Sequence, residues 1–255
     1  MINFSPLITR RFNLKLKELS IGGAISLAQI PDTLKESATT EFIDQVIDSI
    51  DSQGSHNIKN ARQMTVQERL LVVGHYIAHV SESEPDFPLG DGHYSDYLQS
   101  TDFAKANEKL GVVGDDHWGI SHLTGAQAET IERLVGELPN ISARFHWLLG
   151  CIAAQMSIDG EDSPDPIDSV VAYTHWLKNR MQIIAAFPES QFVELLTLFI
   201  DGRSKLEHFF SVDVDDFGLI VLPSGEKEGG ASLSPARFSV HACISEIAKR
   251  LAGKS

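Results

Sequence analysis

The sequence is poor in cysteine and proline. Of its 255 residues only two are cysteines, Cys151 and Cys243, and they lie far apart within apolar segments. A small secreted scaffold that depends on disulfides normally carries more of them, so we interpret both as buried free thiols. With 10 prolines, 42% hydrophobic residues and 22% charged residues, the composition is that of a folded globular protein and excludes a disordered one.

Positive charge is also scarce. The chain has 21 Lys and Arg against 35 Asp and Glu, which gives a formal net charge of -14. Such a balance repels a phosphate backbone, so we expect no nucleic acid partner. The one basic cluster, around Arg10, Arg11, Lys15 and Lys17, alternates with apolar residues and is typical of the solvated face of a strand.

Long apolar runs are missing as well. The longest, such as residues 147–156, fall short of the roughly 18 residues that a membrane-spanning helix needs. No charged segment followed by an apolar one opens the chain. We therefore expect no membrane partner and a cytoplasmic location.

The most strongly specified element is a helix over residues 64–80. Thr65 and Glu68 have the spacing of a capping box, in which each side chain accepts a hydrogen bond from a free N–H of the first turn. Apolar residues then recur at helical spacing on a face so broad that little polar surface remains. Such a helix must be covered by neighbouring elements, so we predict that it organises the core.

Most of the remaining chain also shows helical periodicity. Ser20 is a predicted N-cap, Thr124 and Gln127 form a second capping box, and Ser234 with Pro235 is expected to open a terminal helix. The predicted helices cover residues 21–30, 39–50, 64–80, 124–138, 141–156, 170–188, 192–206 and 234–251.

Only two segments are typical of strands. Residues 11–19 alternate apolar and polar side chains, and residues 217–223 form a continuous apolar run rich in β-branched residues. We expect these two strands to pair with each other. The predicted fold is therefore mainly α, a multi-helix body with a small β element, organised as regions 1–124 and 125–255 or as one continuous domain.

The sharpest candidate for chemistry is His75 with His79. At positions i and i+4 they project from one side of the central helix, as metal-binding histidine pairs do. The metalloprotease pattern requires a Glu directly after the first His, and that position holds Tyr76. Asp and His ligands together suit zinc or iron. Further ligands are available from His93, Asp115, Asp116, His117 and His122.

Two interpretations of these histidines remain open. One is a metal-dependent hydrolase that uses the His and Asp residues as ligands. The other is that the imidazoles are hydrogen-bonded between packed segments and have a structural role. We favour the second, and we assign no metal, cofactor or catalytic residue to the chain.

Other catalytic patterns are incomplete. Cys151 lies in the middle of an apolar helical segment, where burial keeps a thiol protonated and unreactive. No Gly-x-Ser-x-Gly motif occurs, and residues 225–230 lack the Lys and Ser or Thr of a phosphate-binding loop. Asp213, Asp215 and Asp216 resemble a calcium loop, but the closing Glu is absent, so we interpret them as a solvated acidic turn.

Aromatic residues are frequent in two segments without sustained periodicity, residues 81–102 and 110–123. They are of the types that are enriched at interface hot spots, but they could equally anchor their own loops. They are Phe87, Tyr94, Tyr97 and Trp118, with Phe103 directly after the first segment. A second set occurs at helical spacing and is expected in the core: Phe145, Trp147, Trp176 and Phe199.

Segments in the first third of the chain resemble a known family. They are FNLKLKELSIGGAISLAQIP (residues 12–31) with ATTEF (residues 38–42), and MTVQERL (residues 64–70) leading into His75 and Tyr76. They resemble baseplate or tail-assembly proteins of tailed bacteriophages, akin to the baseplate hub assembly family of T-even-like contractile tails.

This resemblance implies a non-enzymatic protein that acts by contact. It would be a structural part of a tail or baseplate or, alternatively, a tail assembly chaperone absent from the mature virion. Its implied partners are other phage tail and baseplate proteins, with self-association as a further option. Its implied location is the host cytoplasm during assembly and, if it is retained, the virion tail. The family motif contains no catalytic residues to carry over.

Overall fold

The N-terminal segment forms a small antiparallel sheet. The structure is a computed structural model that describes residues 2–81, 85–99, 101–102, 105–206, 208–225 and 232–253. Strands β1 (Leu7–Ile8), β2 (Phe12–Leu16) and β3 (Ile47–Ser52) lie side by side in that order. The alternating apolar side chains of β2 are buried, which confirms the predicted strand. Its predicted partner was wrong, because β2 pairs with β1 and β3 and not with residues 217–223.

Three helices follow from recognisable caps or periodicity: α1 (Ile21–Gln29), α2 (Lys35–Val46) and α3 (Val66–Val80). The Ser20 hydroxyl caps α1, and both bonds of the Thr65–Glu68 capping box are present at α3. The helix predicted to reach Ile50 instead ends at Val46. Its last turn closes at Ile47, after which the backbone pairs with β2. Strand pairing therefore overrides the helical spacing of Ile47 and Ile50.

Two segments interpreted as irregular contain hairpins. Strands β4 (Pro88–Leu89) and β5 (Gly92–His93) lead into a single 3-10 turn. Strands β6 (Asn107–Val113) and β7 (Asp116–Ser121) are joined by a two-residue turn. Gly114 is its first residue and has a φ of 62°. Glycine at this place is the signature of a type II′ hairpin turn, a signal that the sequence did contain.

The second half of the chain alternates helices with short strands. In order, its elements are α4 (Gly125–Arg133), α5 (Ala143–Gln155), β8 (Met156–Ile158), α6 (Val170–Ala185), α7 (Glu189–Leu206), β9 (Ser211–Asp215), β10 (Gly218–Leu222) and α8 (Glu246–Leu251). The Thr124–Gln127 capping box is confirmed at α4. Strand β8 follows α5 without a break and joins β7, and β9 pairs with β10.

The terminal helix differs from its prediction. Ser234 and Pro235 do not open a helix, because Ala236 pairs with Val221 as an added β-bridge. A short 3-10 turn follows, and α8 begins only after Ser245, which caps it. Ile247 and Leu251 of α8 are 68% and 63% exposed.

The fold class is thereby corrected. The described part of the chain is 44% helical and 19% strand, with eight helices and four small antiparallel sheets. This is a mixed α/β fold, and the prediction of a mainly α fold was wrong. The sheets were missed because several strands are short, lack clean alternation, and are specified by a partner distant in sequence.

The starts of α3 and α4 are joined by backbone hydrogen bonds. The two N-caps, Thr65 and Thr124, form an antiparallel bridge, with Val66 N–H donating to Leu123 O at 2.9 Å and Gly125 N–H donating to Met64 O at 2.9 Å. One of these hydrogen bonds joins residues on the two sides of residue 124, where the sequence analysis allowed a division into two regions. That division stays a prediction.

One buried apolar cluster contains residues from both halves of the chain. Helix α2 packs on α3 and α4, and α5 packs on α6 and on β9. None of the helices within the described ranges is long and apolar enough to cross a membrane.

Candidate functional site

The predicted histidine pair lies at the C-terminal end of α3 and binds the N-terminal segment of the chain. The Nε2 of His75 donates to the backbone oxygen of Ser5 at 2.8 Å. The Nδ1 of His79 donates to the backbone oxygen of His75 at 2.8 Å, which leaves its Nε2 as an acceptor. That Nε2 lies 3.2 Å from the Ser5 amide nitrogen and 2.9 Å from its hydroxyl. Both imidazoles are thus engaged by a single residue.

Aromatic packing reinforces this contact, which we call the N-terminal clasp (Phe4, Ser5, His75, Tyr76 and His79). The Phe4 ring is stacked on Tyr76 at 5.2 Å and lies 5.5 Å from His79. The two histidine rings are 4.3 Å apart. Burial lowers the pKa of His75, and the neighbouring His79 lowers it further, against the effect of the Ser5 carbonyl. The neutral form of His75 is therefore favoured.

The other predicted ligands lie elsewhere. His93 is on β5, Asp115 is in the β6–β7 turn, and Asp116 and His117 begin β7. His122 is buried and donates to the Lys105 carbonyl at 2.7 Å. Among the residues described, no three His, Cys, Asp or Glu side chains are grouped so that they could hold a metal ion. The seven candidates are therefore not brought together.

A second histidine pair, absent from the sequence prediction, lies at the opposite end of α3. The rings of His122 and His208 are 4.5 Å apart and nearly perpendicular. The Nε2 of His208 lies 3.0 Å from the Thr65 hydroxyl, and the Nη1 of Arg11 lies 2.9 Å from the Glu68 carboxylate. We call these five residues the buried polar cluster. The only sequence signal for it was the Thr65–Glu68 capping box, because its other members come from distant parts of the chain.

Burial controls titration in the buried polar cluster. It lowers the pKa of His122 to about 4 and that of His208 to about 3, with His122 contributing to the shift of His208. Burial also raises the pKa of Glu68 to about 7, although Arg11 and the Thr65 N–H favour the ionised form. Both histidines are accordingly neutral at neutral pH, and their roles are those of hydrogen-bond partners.

The remaining nucleophile and metal candidates are structural. Cys151 and Cys243 are both free thiols, and burial raises the pKa of each to about 12. Asp213 and Asp215 lie on β9, while Asp216 lies in the turn before β10. Asp213 is 3.5 Å from Arg203, and Asp215 is paired with Arg237. These carboxylates thus hold the β9–β10 hairpin against neighbouring elements.

The loop aromatics anchor their own loops. Phe87, Tyr97 and Trp118 are buried, and Tyr94 is stacked on Phe87 at 5.0 Å. The Tyr97 hydroxyl donates to the Ser234 carbonyl at 2.7 Å. The interface interpretation of these residues is therefore wrong for the four that are described. Phe103, the fifth, lies outside the described residues. Of the helical aromatics, Trp147 and Phe199 are buried, while Phe145 and Trp176 are partly buried against the core.

A network of acids and arginines joins α2, α3 and α4. Both oxygens of Glu132 accept hydrogen bonds at the start of α2, from the Glu36 amide at 2.7 Å and the Ser37 amide at 3.0 Å. The Arg69 guanidinium binds Glu36 at 3.1 Å. Burial raises the pKa of Glu36, against the effect of Arg69. No local sequence pattern predicts this network, because its members lie on three separate helices.

Two surface cavities are large enough to accept a ligand or a partner side chain. One, of about 460 Å³, lies between the start of α2, the end of α4 and the β9–β10 turn. The other, of about 390 Å³, lies between α5, α7 and the β9–β10 hairpin and has a mainly apolar lining. Comparison with known proteins gave no matching family model, no matching characterised protein and no matching solved structure.

Proposed function

We propose that this chain is a non-enzymatic structural or assembly protein of a phage tail or baseplate, which acts by contact with other tail proteins. The resemblance of residues 12–31, 38–42 and 64–76 to tail-assembly proteins is the source of this assignment. Most of these residues belong to β2, α1, α2 and α3, which lie together at the N-terminal end of the core. The likeness therefore concerns one packed unit and not isolated segments.

The observation that carries the proposal is that four histidines bind other groups of the same chain. His75 and His79 hold the N-terminal segment, and His122 and His208 support the start of the same helix. A general base needs a free acceptor within reach of a substrate. Here His79 and His208 use both ring nitrogens on groups of the chain itself, and His75 and His122 each donate to a backbone carbonyl. These contacts support a function in which the polar side chains stabilise the fold.

Apolar side chains on the outer faces of α6 and α7 offer the surface for such contacts. Val171, Ile183, Val193 and Ile200 are all exposed. Ile200 borders the cavity of about 390 Å³, together with the buried Phe199 and with Arg203. Apolar residues next to an arginine are typical of the centre of a protein interface.

Mass spectrometry of purified virions tests the assignment directly. Peptides of this chain in mature particles, at a constant ratio to the sheath protein, would identify a structural component. Recovery from the lysate with tail proteins, and absence from particles, would identify the alternative, an assembly chaperone. Recovery in neither fraction would refute both.

A surface variant locates the contact. Ile200→Asp places a charge beside the apolar cavity and is expected to abolish copurification with tail proteins. Ile247→Asp, on α8 and away from this surface, is the matched control. Circular dichroism should show that both variants stay folded, because both positions are exposed. Equal recovery of tail proteins by Ile200→Asp and the unmodified chain would exclude this surface.

A separate measurement addresses the hydrolase alternative. Elemental analysis of the purified chain would be combined with assay of a His75→Ala, His79→Ala double variant. Stoichiometric zinc or iron, with turnover that is lost in the double variant, would overturn the contact function.

A further inference from the structure

Helix α7 has one buried side and one exposed side. Its inner side packs on β6 and β7. The residues buried on that side are Leu195, Phe199, Gly202 and Leu206. The opposite side carries a row of exposed residues, which we call the α7 seam: Val193, Thr197, Ile200 and Ser204. Its two apolar members, Val193 and Ile200, are 53% and 56% exposed.

The spacing of the α7 seam is that of a helix that packs lengthwise against another helix. Its members follow one another at intervals of four, three and four residues. Alternation of three and four residues keeps side chains on one narrow line along a helix, as in two-stranded coiled coils. The row contains no Asp, Glu, Lys or Arg, although such residues make up 22% of the chain. Depletion of charge is typical of the centre of a protein interface.

The two hydroxyl groups of the α7 seam are already bound within the helix. The Thr197 hydroxyl donates to the Val193 carbonyl at 2.8 Å, and the Ser204 hydroxyl donates to the Asp201 carbonyl at 2.8 Å. Burial of a polar group is costly mainly when its hydrogen bond to water is not replaced. Both hydroxyls can therefore enter an interface at little cost, together with the side chains of Val193 and Ile200.

The α7 seam is self-complementary when two copies meet antiparallel. In a dimer with two-fold symmetry, each contact between two different residues forms twice, once in each direction. With the axis between residues 198 and 199, Thr197 lies beside Ile200 of the second copy, and Val193 lies beside its Ser204. Each layer of the contact then combines one apolar residue with one residue whose hydroxyl is already bound.

Charged residues flank the α7 seam with complementary signs. Glu194 and Lys205 are exposed and lie on the same side of the row, near opposite ends of the helix. The same two-fold axis brings Glu194 of each copy within reach of Lys205 of the other. Flanking charges of this kind set the partner and orientation of paired helices. Lys205 also lies 3.8 Å from Glu108 of its own chain, a contact that is worth little at a surface.

The net charge of the chain favours this face over others. Two copies that each carry a net charge of -14 repel one another. An uncharged row flanked by opposite charges is therefore a place where two copies can meet without bringing carboxylates together.

We propose that the outer face of α7 is a homodimer interface, in which two α7 seams pack antiparallel and Glu194 of each copy pairs with Lys205 of the other. The 18 residues of α7 span about 27 Å, so a single helix pair lies at the low end of interface sizes and gives a weak dimer. The dimer forms without any tail protein, so its test and that of a role in a phage tail can fail separately.

Sedimentation equilibrium of the purified chain measures the association. We expect a monomer–dimer equilibrium with a dissociation constant of about 10–500 μM. Ile200→Asp places a charge in the middle of the α7 seam and should weaken the dimer by at least about tenfold. Ile247→Asp, the matched exposed change on α8, should dimerise like the unmodified chain.

Two results of this experiment would overturn the proposal. One is a chain that stays monomeric up to about 1 mM. The other is equal dimerisation of Ile200→Asp and Ile247→Asp, whatever their effect on copurification with tail proteins.

Charge reversal tests the antiparallel arrangement. Glu194→Lys brings lysines together across the dimer and Lys205→Glu brings glutamates together, so each should dimerise about fivefold more weakly than the unmodified chain. An equal mixture of the two variants should recover the dimer, because both cross-pairs are again opposite in charge. The contact of Lys205 with Glu108 stays lost in the mixture, so recovery would exclude that loss as the cause. A mixture that dimerises no better than either variant alone would refute the interface.

Discussion

The two ends of α3 each carry a histidine pair, and the pairs differ in what surrounds them. At the N-terminal end, His122 and His208 are buried and pack against the Thr65 cap. At the C-terminal end, His75 and His79 are partly exposed and hold only the short segment around Ser5. Histidine side chains thus stabilise the core at one end of α3 and bind the N-terminal segment at the other.

The difference shows that environment, and not residue type, determines what a histidine contributes. Desolvation dominates at the buried end, where the pKa values of His122 and His208 fall to about 4 and about 3. At the clasp, His79 contributes as a hydrogen-bond acceptor, because its Nε2 faces the Ser5 amide. We therefore expect large stability effects at one end of α3 and local effects at the other.

The largest expected effect comes from breaking the ion pair of the buried polar cluster. Arg11→Ala leaves the Glu68 carboxylate buried without its cation. Removal of one partner of a buried pair typically costs about 3–5 kcal/mol of unfolding free energy. Urea denaturation would measure the loss.

Lys17→Ala, an exposed change close to β2, is the matched control and should stay within about 0.5 kcal/mol of the unmodified chain. If Arg11→Ala were as stable as this control, the buried polar cluster would not support the start of α3.

Acidification should produce the next largest effect. The folded pKa of His122, about 4, lies below its usual value of 6.5. At His122 the unfolded chain therefore binds more protons between these values, so the contribution of this histidine to the free energy of unfolding falls as the pH falls from about 7 through 4. Glu68, with its folded pKa raised to about 7, has an effect of the opposite sign that is smaller than that of His122 and His208 together. A shift of this size corresponds to about 3 kcal/mol for His122 alone.

The variants His122→Gln and His208→Gln should flatten this dependence. Denaturation curves recorded at several pH values would compare them with His75→Gln, for which we expect a smaller change. An unaltered slope in the double variant His122→Gln, His208→Gln would contradict the assignment of acid sensitivity to this pair.

The smallest effect is expected at the N-terminal clasp. His79→Ala removes the acceptor of the Ser5 amide and hydroxyl but leaves Phe4 stacked on Tyr76. We expect faster hydrogen exchange at the Ser5 amide, with a loss of only about 1 kcal/mol in the free energy of unfolding.

Hydrogen exchange monitored by NMR would follow the Ser5 amide in comparison with His117→Ala, an exposed change in the β6–β7 hairpin. Unchanged exchange at Ser5 would show that the N-terminal segment is held by its aromatic contact alone.

Features specified by neighbouring residues could be predicted from the sequence. The Ser20 cap, both capping boxes and the alternation in β2 depend on contacts within a few residues, and all are confirmed. Features that depend on a partner distant in the chain could not be predicted from the sequence. Met156 fits the periodicity of α5, but it leaves the helix because β7 offers an unpaired edge.

The candidate site shows the same limit. The spacing of His75 and His79 correctly predicted that both lie on one side of α3. It could not predict the segment that they bind, because Ser5 lies some 70 residues away in the chain. The network of Glu36, Arg69 and Glu132 comes from α2, α3 and α4, and no local pattern connects its members. For the aromatic loops the sequence left packing and binding open, because aromatic residues in irregular segments serve both equally well.

The bridge between Thr65 and Thr124 has an electrostatic consequence for the whole molecule. It brings together the first turns of α3 and α4, so the partial positive charges of two helix dipoles add at one place. Glu68 lies in the first turn of α3 at this junction, where the two helix ends favour its ionised form and oppose the burial that raises its pKa to about 7. A neutral or cationic replacement would leave the two helix ends without this counter-charge.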